Sequence, residues 1–166
     1  MARIASFKPI DPESAQILIL GSMPGVMSLA AKQYYAHPRN AFWKIMSTIL
    51  EFPETAAYEE RVAALKNAGI ALWDVLQYCV RNGSLDADIE VGSEKANNIA
   101  ELLRRQPGIE VVCFNGAAAE SCFKRLVMPT LKNVDPKYIR LPSTSPAHAT
   151  LSFDQKAAAW RAAICA

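Results

Sequence analysis

The sequence predicts an α/β fold in which four mainly parallel strands form a central sheet covered by helices on both sides. Short apolar runs alternate with helical patterns along the chain, and this alternation is typical of strand–helix–strand units. Polar or turn-forming residues follow each apolar run. Because the carboxyl ends of parallel strands share one edge of a sheet, these residues should meet there. We therefore predict a three-layer α/β/α sandwich with one cleft.

Each of the four strands is predicted from a short apolar run that ends at polar residues. The run 17–20 has four consecutive apolar residues, which is typical of a strand buried on both faces. The other strands are predicted at 70–73, 109–114 and 138–141. The segments that should line the cleft are 21–25, Asp74 with Asp86, Asn115-Gly116 and 143–145. For Asp74, capping of the following turn is the preferred interpretation.

The helices are predicted from apolar residues that recur at three- and four-residue spacing. The clearest pattern begins at Asn40, which could serve as the helix N-cap, and it ends at Leu50. A polar loop with an Asn82-Gly83 turn interrupts the series at 81–89. Further helices are expected at 58–67, from Ser93 or Glu94 to Gln106, at 117–126 and at 154–164.

Length and composition fit one globular domain over residues 1–166. The chain is 51% hydrophobic, yet no apolar run reaches the length of a membrane helix. The first residues lack the apolar core of a signal peptide, so we expect a cytoplasmic location and no membrane partner. The four cysteines form no CxxC pair, and we expect reduced thiols, no metal and no cofactor. Nothing in the sequence demands more than a monomer.

Charge is unevenly distributed along a chain whose net charge is only +2. Residues 1–50 sum to +3, residues 51–94 to −6, and residues 95–166 to +5. Between Lys124 and Arg140 five basic residues stand against one acid, Asp135. Such a segment could bind phosphate or could be an ordinary solvated surface, and the sequence leaves both interpretations open.

Polar and aromatic side chains are concentrated just beyond the first strand. The turn Gly21–Gly25 permits close approach of a ligand to the backbone. Tyr34, Tyr35, His37 and Asn40 follow within a short stretch. Residue types alone favour Asn40 as a helix N-cap and the tyrosines as half-buried aromatics. A ligand site at the strand end is the alternative.

Two motifs and one longer segment resemble the uracil-DNA glycosylase superfamily. Gly21-Ser22-Met23-Pro24-Gly25 is similar to its first motif, and the segment Tyr35–Trp43 resembles the mismatch-specific branch. Leu141–Pro146 lies where the second motif is expected, and its Ser-rich form is similar to the hypoxanthine-DNA glycosylase branch. The resemblance implies a uracil-DNA glycosylase-like fold and a monofunctional DNA glycosylase. It would remove deaminated bases from DNA, hypoxanthine first and uracil in mismatches second.

The resemblance also implies a role for each matching residue. A base in a duplex must be flipped into a pocket before it is cleaved. Asn40 would position the catalytic water in a largely dissociative reaction. The base would contact Gly21, Ser22, Met23, Pro24, Gly25, Tyr35 and Asn115, with Tyr35 stacking on its ring. The flanking DNA would contact Ser143, Thr144, Ser145, Pro146 and His148. His37 would order its own loop.

Two positions depart from the pattern of many relatives. Met23 stands where they carry an Asn or Asp that holds the water, so the water must be held elsewhere, and Asn40 is the nearest polar residue. Leu141 stands where they carry a side chain that bonds uracil. These departures argue against efficient excision of uracil and are compatible with a purine such as hypoxanthine. They also leave open a binding module without catalysis. An unrelated hydrolase that uses Ser143 or Ser145 with His148 is disfavoured, because no Gly-x-Ser-x-Gly elbow is present.

Overall fold

The structure is a computed structural model that describes residues 2–166. Strands and helices are numbered along the chain, and two short 3₁₀ turns lie at Asp86–Asp88 and Met128–Thr130. The elements are β1 (Ile4–Ala5), β2 (Ile17–Gly21), α1 (Val26–Ala31), α2 (Phe42–Leu50), α3 (Tyr58–Asn67), β3 (Ile70–Asp74), β4 (Leu76–Cys79), β5 (Lys95–Ala96), α4 (Ile99–Arg105), β6 (Val111–Asn115), α5 (Ala117–Leu126), β7 (Lys137–Leu141) and α6 (Phe153–Ile164).

The central sheet has four parallel strands in the order β3-β2-β6-β7, which confirms the predicted fold class. All four strands were predicted from their apolar runs, although β6 begins two residues later than expected. The register pairs Gly21 with Asp74 and Asn115 with Leu141. These four strand ends therefore lie side by side at one edge of the sheet.

Alternate residues of the strands enter two separate cores, one on each side of the sheet. On one side Leu18 and Phe114 are buried with residues of α4 and α5. On the other side Ile19 and Cys113 are buried with residues of α2, α3 and α6. Complete burial of one such aliphatic or aromatic side chain contributes about 1.5–3 kcal/mol. The three-layer arrangement follows from this alternation of strand side chains.

A second, antiparallel sheet of β1, β4 and β5 lies beside the first and was not predicted. Its presence corrects the helix that was expected from Ser93 or Glu94. The residues Lys95–Ala96 pair with β4, and α4 begins only at Ile99. The Asn98 side chain caps α4 by accepting a hydrogen bond from the Glu101 N–H at 3.2 Å. An N-cap side chain of this kind fixes where a helix starts.

Three other helix starts differ from the sequence prediction. The short helix α1 was not predicted. The helix α2 begins at Phe42 instead of Asn40, although Asn40 still accepts the Phe42 N–H at 3.0 Å. The helix α6 begins at Phe153, and Ser152 and Gln155 form a reciprocal capping box there.

All four cysteines are free thiols, and they differ in exposure. Cys79, Cys113 and Cys122 are buried, whereas Cys165 is exposed. Burial raises the pKa of Cys113 to about 11 and also raises the pKa of Cys79 and Cys122.

Across residues 2–166, no helix combines the length and apolar character needed to cross a membrane. Nor does any cluster of three His, Cys, Asp or Glu side chains suited to a metal ion occur in that range.

Candidate active site

A cavity of about 280 Å³, called the edge cavity below, opens at the carboxyl edge of the central sheet. The loops that follow all four strands contribute to it, as the alternation of strands and polar segments predicted. The segment after α1 closes one side. Every residue that the sequence singled out for base or DNA contact lines the edge cavity except His148: Gly21, Ser22, Met23, Pro24, Gly25, Tyr35, Asn40, Asn115, Ser143, Thr144, Ser145 and Pro146.

Gly21 forms a part of the wall that no other residue type would fit. A Cβ atom at this position would lie 2.5 Å from Asp74 Oδ1 and 2.9 Å from the Tyr35 hydroxyl. Contacts below 3.0 Å force neighbouring atoms to move. Only a glycine lets the Asp74 carboxylate and the Tyr35 hydroxyl pack this closely against the end of β2. Steric space, and not a left-handed backbone conformation, requires the glycine, and close approach of a ligand to this turn stays a prediction.

Tyr35 presents an aromatic ring to the edge cavity in an unusual backbone conformation. Its φ is +54°, a region that non-glycine residues seldom adopt. The ring stacks on Phe42, with centroids 4.3 Å apart and an angle of 27°. Burial and the nearby Asp74 carboxylate raise the pKa of the phenol, so it is neutral at physiological pH. Tyr34 is instead a core residue whose hydroxyl donates to the Lys8 carbonyl at 2.7 Å.

Asn40 lies in the wall of the edge cavity with its side chain held in one orientation. Its Oδ1 accepts the Phe42 N–H at 3.0 Å, and its own N–H donates to the His37 carbonyl at 2.9 Å. The cap interpretation and the catalytic interpretation are therefore compatible. One lone pair of Oδ1 accepts this backbone hydrogen bond, while no hydrogen bond within residues 2–166 uses the Nδ2 donors. His37 orders the same loop by accepting the Arg39 N–H at Nδ1, 3.0 Å away.

The Gly21–Gly25 turn is held from the opposite side by the polar segment at 81–89. Buried Arg81 donates to the Pro24 carbonyl at 2.6 Å and to the Gly83 carbonyl at 2.7 Å. Ser22 donates to Asp86 at 2.7 Å, and Ser84 accepts the Val26 N–H at 2.9 Å. Sequence analysis missed Arg81, because a single arginine in a polar loop carries no local signal of burial.

Asn115 and Thr144 bind each other in both directions. The Asn115 Nδ2 donates to the Thr144 hydroxyl, and the Asn115 Oδ1 accepts the Thr144 N–H, both at 2.9 Å. Thr144 is buried, and its carbonyl accepts the Ala41 N–H at 3.0 Å. Instead of the predicted direct contact with DNA, the structure gives the Thr144 side chain a role in positioning its loop. Asn115 lines the edge cavity, but two of its polar contacts hold that same loop.

Met23 lines the edge cavity while most of its side chain belongs to a core. It is buried with residues of the α4 and α5 side of the sheet. A thioether in this position offers no donor and only a weak acceptor. Met23 therefore presents no polar group to the edge cavity, and the assignment of a catalytic water to Asn40 stays a prediction.

Asp74 enters the edge cavity from the end of β3 and is only 3% exposed. The turn-capping interpretation is wrong, because no backbone N–H of residues 2–166 donates to its carboxylate. The Oδ2 atom is buried without a hydrogen-bond partner in that range, as is the Tyr35 hydroxyl. Burial, with a smaller contribution from the negative charge of Asp86, raises the pKa of Asp74 to about 7.

A second depression, called the basic groove below, lies on the other side of Asn40. Several residues line both the groove and the edge cavity: Tyr34, Tyr35, His37, Asn40, Thr144, Ser145 and Pro146. Lysine and arginine side chains outnumber its one acid, Glu54. The groove is also lined by His148, by Ser145 and Pro146, and by the four cations Arg39, Lys44, Arg61 and Lys156.

The basic segment that the sequence singled out, Lys124–Arg140, lies outside both depressions and is largely paired with acids. Lys124 and Arg140 each lie 3.7 Å from Glu120. Arg125 lies 2.5 Å from Glu94. The cations of the basic groove are instead spread over the sequence from residue 39 to residue 156. This spread explains why charge runs along the chain did not reveal the groove.

Comparison with known proteins places this site in a family. The profile of the Uracil DNA glycosylase superfamily matches residues 7–164. The chain belongs to this superfamily. It is therefore a DNA glycosylase, an enzyme that hydrolyses N-glycosyl bonds of DNA, as the two motifs implied.

Individual relatives agree with this assignment. A hypoxanthine DNA glycosylase of Methanosarcina acetivorans is 35% identical over 147 residues, which cover 88% of this chain and 89% of the relative. One of Methanosarcina barkeri is 40% identical over 111 residues, or 66% of this chain and 69% of the relative. A solution NMR structure of a candidate uracil DNA glycosylase from M. acetivorans superposes with a TM-score of 0.78 at 30% identity, covering 97% of this chain and 98% of that one.

Proposed function

We propose that this DNA glycosylase removes deaminated bases, with hypoxanthine in deoxyinosine as its main substrate and uracil in mismatches as a second one. The observation that carries the proposal is the position of Asn40 between the edge cavity and the basic groove. A flipped nucleotide could place its base in the edge cavity and its phosphates in the basic groove. Its glycosidic bond would then lie beside Asn40. The names of the two Methanosarcina relatives support hypoxanthine as the base.

The base is held by the turn at the end of β2 and by one aromatic ring. The close approach allowed by Gly21 brings backbone groups of the Gly21–Gly25 turn to the base edge. Tyr35 has one face on Phe42 and is positioned to stack its other face on the base. Stacking of a base on an aromatic side chain contributes about 1–3 kcal/mol. Neither contact depends on which bases flank the flipped nucleotide.

Asn40 positions the water that attacks C1′. Cleavage of the N-glycosyl bond proceeds through an oxocarbenium-like transition state, so the water needs orientation more than a strong base. The Phe42 N–H holds Oδ1 by one lone pair at 3.0 Å. The other lone pair of Oδ1 and the Nδ2 donors can bind the water. Water delivered from the wall between the two depressions would meet the sugar on the side away from the base.

DNA is bound by the basic groove and by the loop 143–148. Arg39 and Lys44 are exposed and belong to the groove. The Ser143 and Ser145 hydroxyls accept N–H groups within their loop, at 3.2 Å each, and this leaves their own O–H groups for phosphate oxygens. Pro146 and Ala147 are exposed at the tip of the loop, where they can press into the gap that the flipped base leaves.

The edge cavity contains no lysine or arginine among the described residues that line it. An amine that attacks C1′ would leave a covalent adduct and break the strand. Because no such amine faces the base, we propose a monofunctional enzyme that leaves an abasic site. One chain supplies the whole site, so we also propose a monomer.

The test uses labelled duplexes with one deoxyinosine or one deoxyuridine, incubated with the purified protein in EDTA and then treated with alkali. We expect alkali-dependent cleavage at deoxyinosine, weaker cleavage at deoxyuridine in a mismatch, and no break before alkali. Asn40→Ala should abolish base release while DNA binding persists. Asn98→Ala, a matched change at the exposed cap of α4, should retain base release. Binding of damaged duplex by the wild type without release of either base would contradict the proposal and favour a non-catalytic binding module.

A further inference from the structure

Asp74 is a buried polar side chain of the edge cavity, and the proposed function gives it no role. Its Oδ1 faces Gly21, and its Oδ2 is buried without a partner among residues 2–166. The register of β2 and β3 places it directly beside the backbone of Gly21. A buried polar atom without a partner is unfavourable, because it has lost its hydrogen bonds to water and gained none in the protein. A side chain kept in this state at a cavity wall is therefore a candidate for contact with a ligand.

The surroundings of Asp74 favour its neutral form over its charged form. The cation that acts on Asp74 is Arg81, which donates hydrogen bonds to the Pro24 and Gly83 carbonyls. Asp86 contributes negative charge from the 3₁₀ turn, while the phenols of Tyr34 and Tyr35 face Asp74 from the segment after α1. Burial and Asp86 raise the pKa of Asp74 to about 7, against the smaller opposing effect of Arg81. Entry of a base would displace water and favour the proton further.

We propose that Asp74, as a neutral carboxylic acid, contacts the carbonyl and the adjacent ring N–H of the flipped base. This inference rests on the proposed function. In hypoxanthine the C6 carbonyl and the N1–H stand side by side, and in uracil the C4 carbonyl and the N3–H do the same. A neutral carboxyl group carries one donor and one acceptor at matching spacing. Its O–H would donate to the carbonyl, and its other oxygen would accept the ring N–H.

The same contact would help the base to leave. As the C1′–N bond breaks, its electron pair stays on the base, and part of the new negative charge resides on the carbonyl oxygen. The water oxygen bonds to C1′ and releases its proton to solvent, while the base anion takes a proton from solvent after departure. The proton of Asp74 stays on its oxygen throughout as a hydrogen bond. A neutral donor stabilises the departing anion, whereas an ionised Asp74 would repel it.

The experiment measures single-turnover release of hypoxanthine from a deoxyinosine duplex between pH 5.5 and pH 9 in wild type, Asp74→Asn and Asp74→Ala. The wild-type rate should fall about tenfold per pH unit above the pKa, since only the neutral form is active. Asparagine has a donor and an acceptor at the same positions but does not ionise, so Asp74→Asn should retain activity and lose this dependence on pH. Asp74→Ala should be about 10- to 100-fold slower than Asp74→Asn at every pH.

Two controls separate Asp74 from its neighbours. Asp86→Asn should keep the fall in rate but shift it to lower pH, because the negative charge that raises the pKa of Asp74 is removed. Histidine is the other residue type that exchanges protons near neutral pH, and His37 lines the same cavity. In His37→Gln the rate of base release should therefore fall at the same pH as in the wild type. Thermal melting and binding to undamaged duplex establish that each variant is folded.

The outcomes distinguish this inference from the function on which it rests. A fall in rate at high pH that persists unchanged in folded Asp74→Asn would overturn the role of Asp74 while base release by the wild type upholds the function. A wild-type rate that is flat from pH 6 to pH 9 would overturn it in the same way. Absence of base release by the wild type from both deoxyinosine and deoxyuridine would overturn the function and the inference together.

Discussion

The edge cavity and the basic groove share one wall but differ in charge. The edge cavity holds Asp74 and Asp86 and no lysine or arginine among the described residues that line it. The basic groove holds four cations and one acid. A base enters uncharged and leaves as an anion, whereas phosphates are anions throughout. The difference supports the proposal that one surface attracts DNA and the other selects the base, with Asn40 between them.

The largest effect should come from filling the edge cavity without touching the basic groove. Gly21→Ala places a Cβ 2.5 Å from Asp74 Oδ1 and 2.9 Å from the Tyr35 hydroxyl, so the wall must shift. We expect at least ~100-fold slower base release, because a displacement of about 1 Å in a site can cost that much. Affinity for undamaged duplex should be unchanged.

Gel-shift and single-turnover assays check this prediction, with Gly83→Ala as the matched control. Gly83 lies in the 81–89 segment with a φ of +82° and open space around its Cβ position. That change strains the backbone but does not enter the cavity. Equal loss of activity in both variants would mean that general destabilisation, and not occupation of the cavity, explains the effect.

The second prediction concerns the stability cost of the carboxyl group in the edge cavity. The pKa of Asp74 is raised from 3.8 to about 7 in the folded state. The folded protein therefore holds the proton more tightly than the unfolded chain, and stability falls as pH rises from about 4 to about 7. Asp74→Asn should raise the free energy of unfolding by about 2–4 kcal/mol at pH 8 and by much less at pH 4.

Urea titrations of wild type and Asp74→Asn at the two pH values provide the measurement. Asp88→Asn, an exposed acid of the same 3₁₀ turn as Asp86, is the control and should change stability by less than about 0.5 kcal/mol at either pH. A gain in Asp74→Asn that is the same at pH 4 and pH 8 would contradict the assigned ionisation.

The third prediction separates the two faces of Tyr35. Tyr35→Ala removes the ring that stacks on Phe42 and faces the edge cavity, and it should weaken binding to a deoxyinosine duplex by about 1–3 kcal/mol. Tyr35→Phe keeps the ring and should retain most of this affinity. Binding is measured with Asn40→Ala as the background, so that the base stays in place. Wild-type affinity in the alanine variant would remove Tyr35 from contact with the base.

The smallest effect at the chemical step should come from the basic groove. Arg39→Ala combined with Lys44→Ala should lower affinity for damaged and undamaged duplex by the same factor. The slope of log affinity against log salt should become shallower by about 2, since each phosphate contact contributes about 0.9. The rate of base release at saturating protein should be unchanged.

The control for this prediction is Lys124→Ala combined with Arg140→Ala. Both cations lie near Glu120 and outside the groove, so their removal should leave the salt slope almost unchanged. A larger effect from this pair than from the groove pair would place the DNA on the other basic surface, at the segment that the sequence alone had singled out.

The sequence predicted the parts of the molecule that local patterns determine. Four strands follow from apolar runs, and the convergence of Gly21–Gly25, Asp74, Asn115 and Ser143–Ser145 follows from the geometry of a parallel sheet. Asn40 stood out by its residue type and position next to a helix start. In each case the pattern that reveals the feature is local: an apolar run, the polar residues that follow it, or the start of a helix.

Features that depend on contacts between distant segments were not predicted. Arg81 is buried because its guanidinium group donates a hydrogen bond to the Pro24 carbonyl, 57 positions away. Thr144 is turned inward by Asn115, 29 positions away. The second sheet requires pairing of β1 with β4, and the basic groove gathers cations from three helices and one loop. No local pattern records such contacts.

The burial of three of the four cysteines gives the unmodified protein a single accessible point of attachment. Thiolates react with maleimides, and burial holds Cys79, Cys113 and Cys122 in the thiol form and out of reach. Cys165 is exposed and lines neither the edge cavity nor the basic groove. One fluorophore can therefore be attached to the natural sequence at a known place. Its anisotropy would follow DNA association in real time while base release is measured in the same tube.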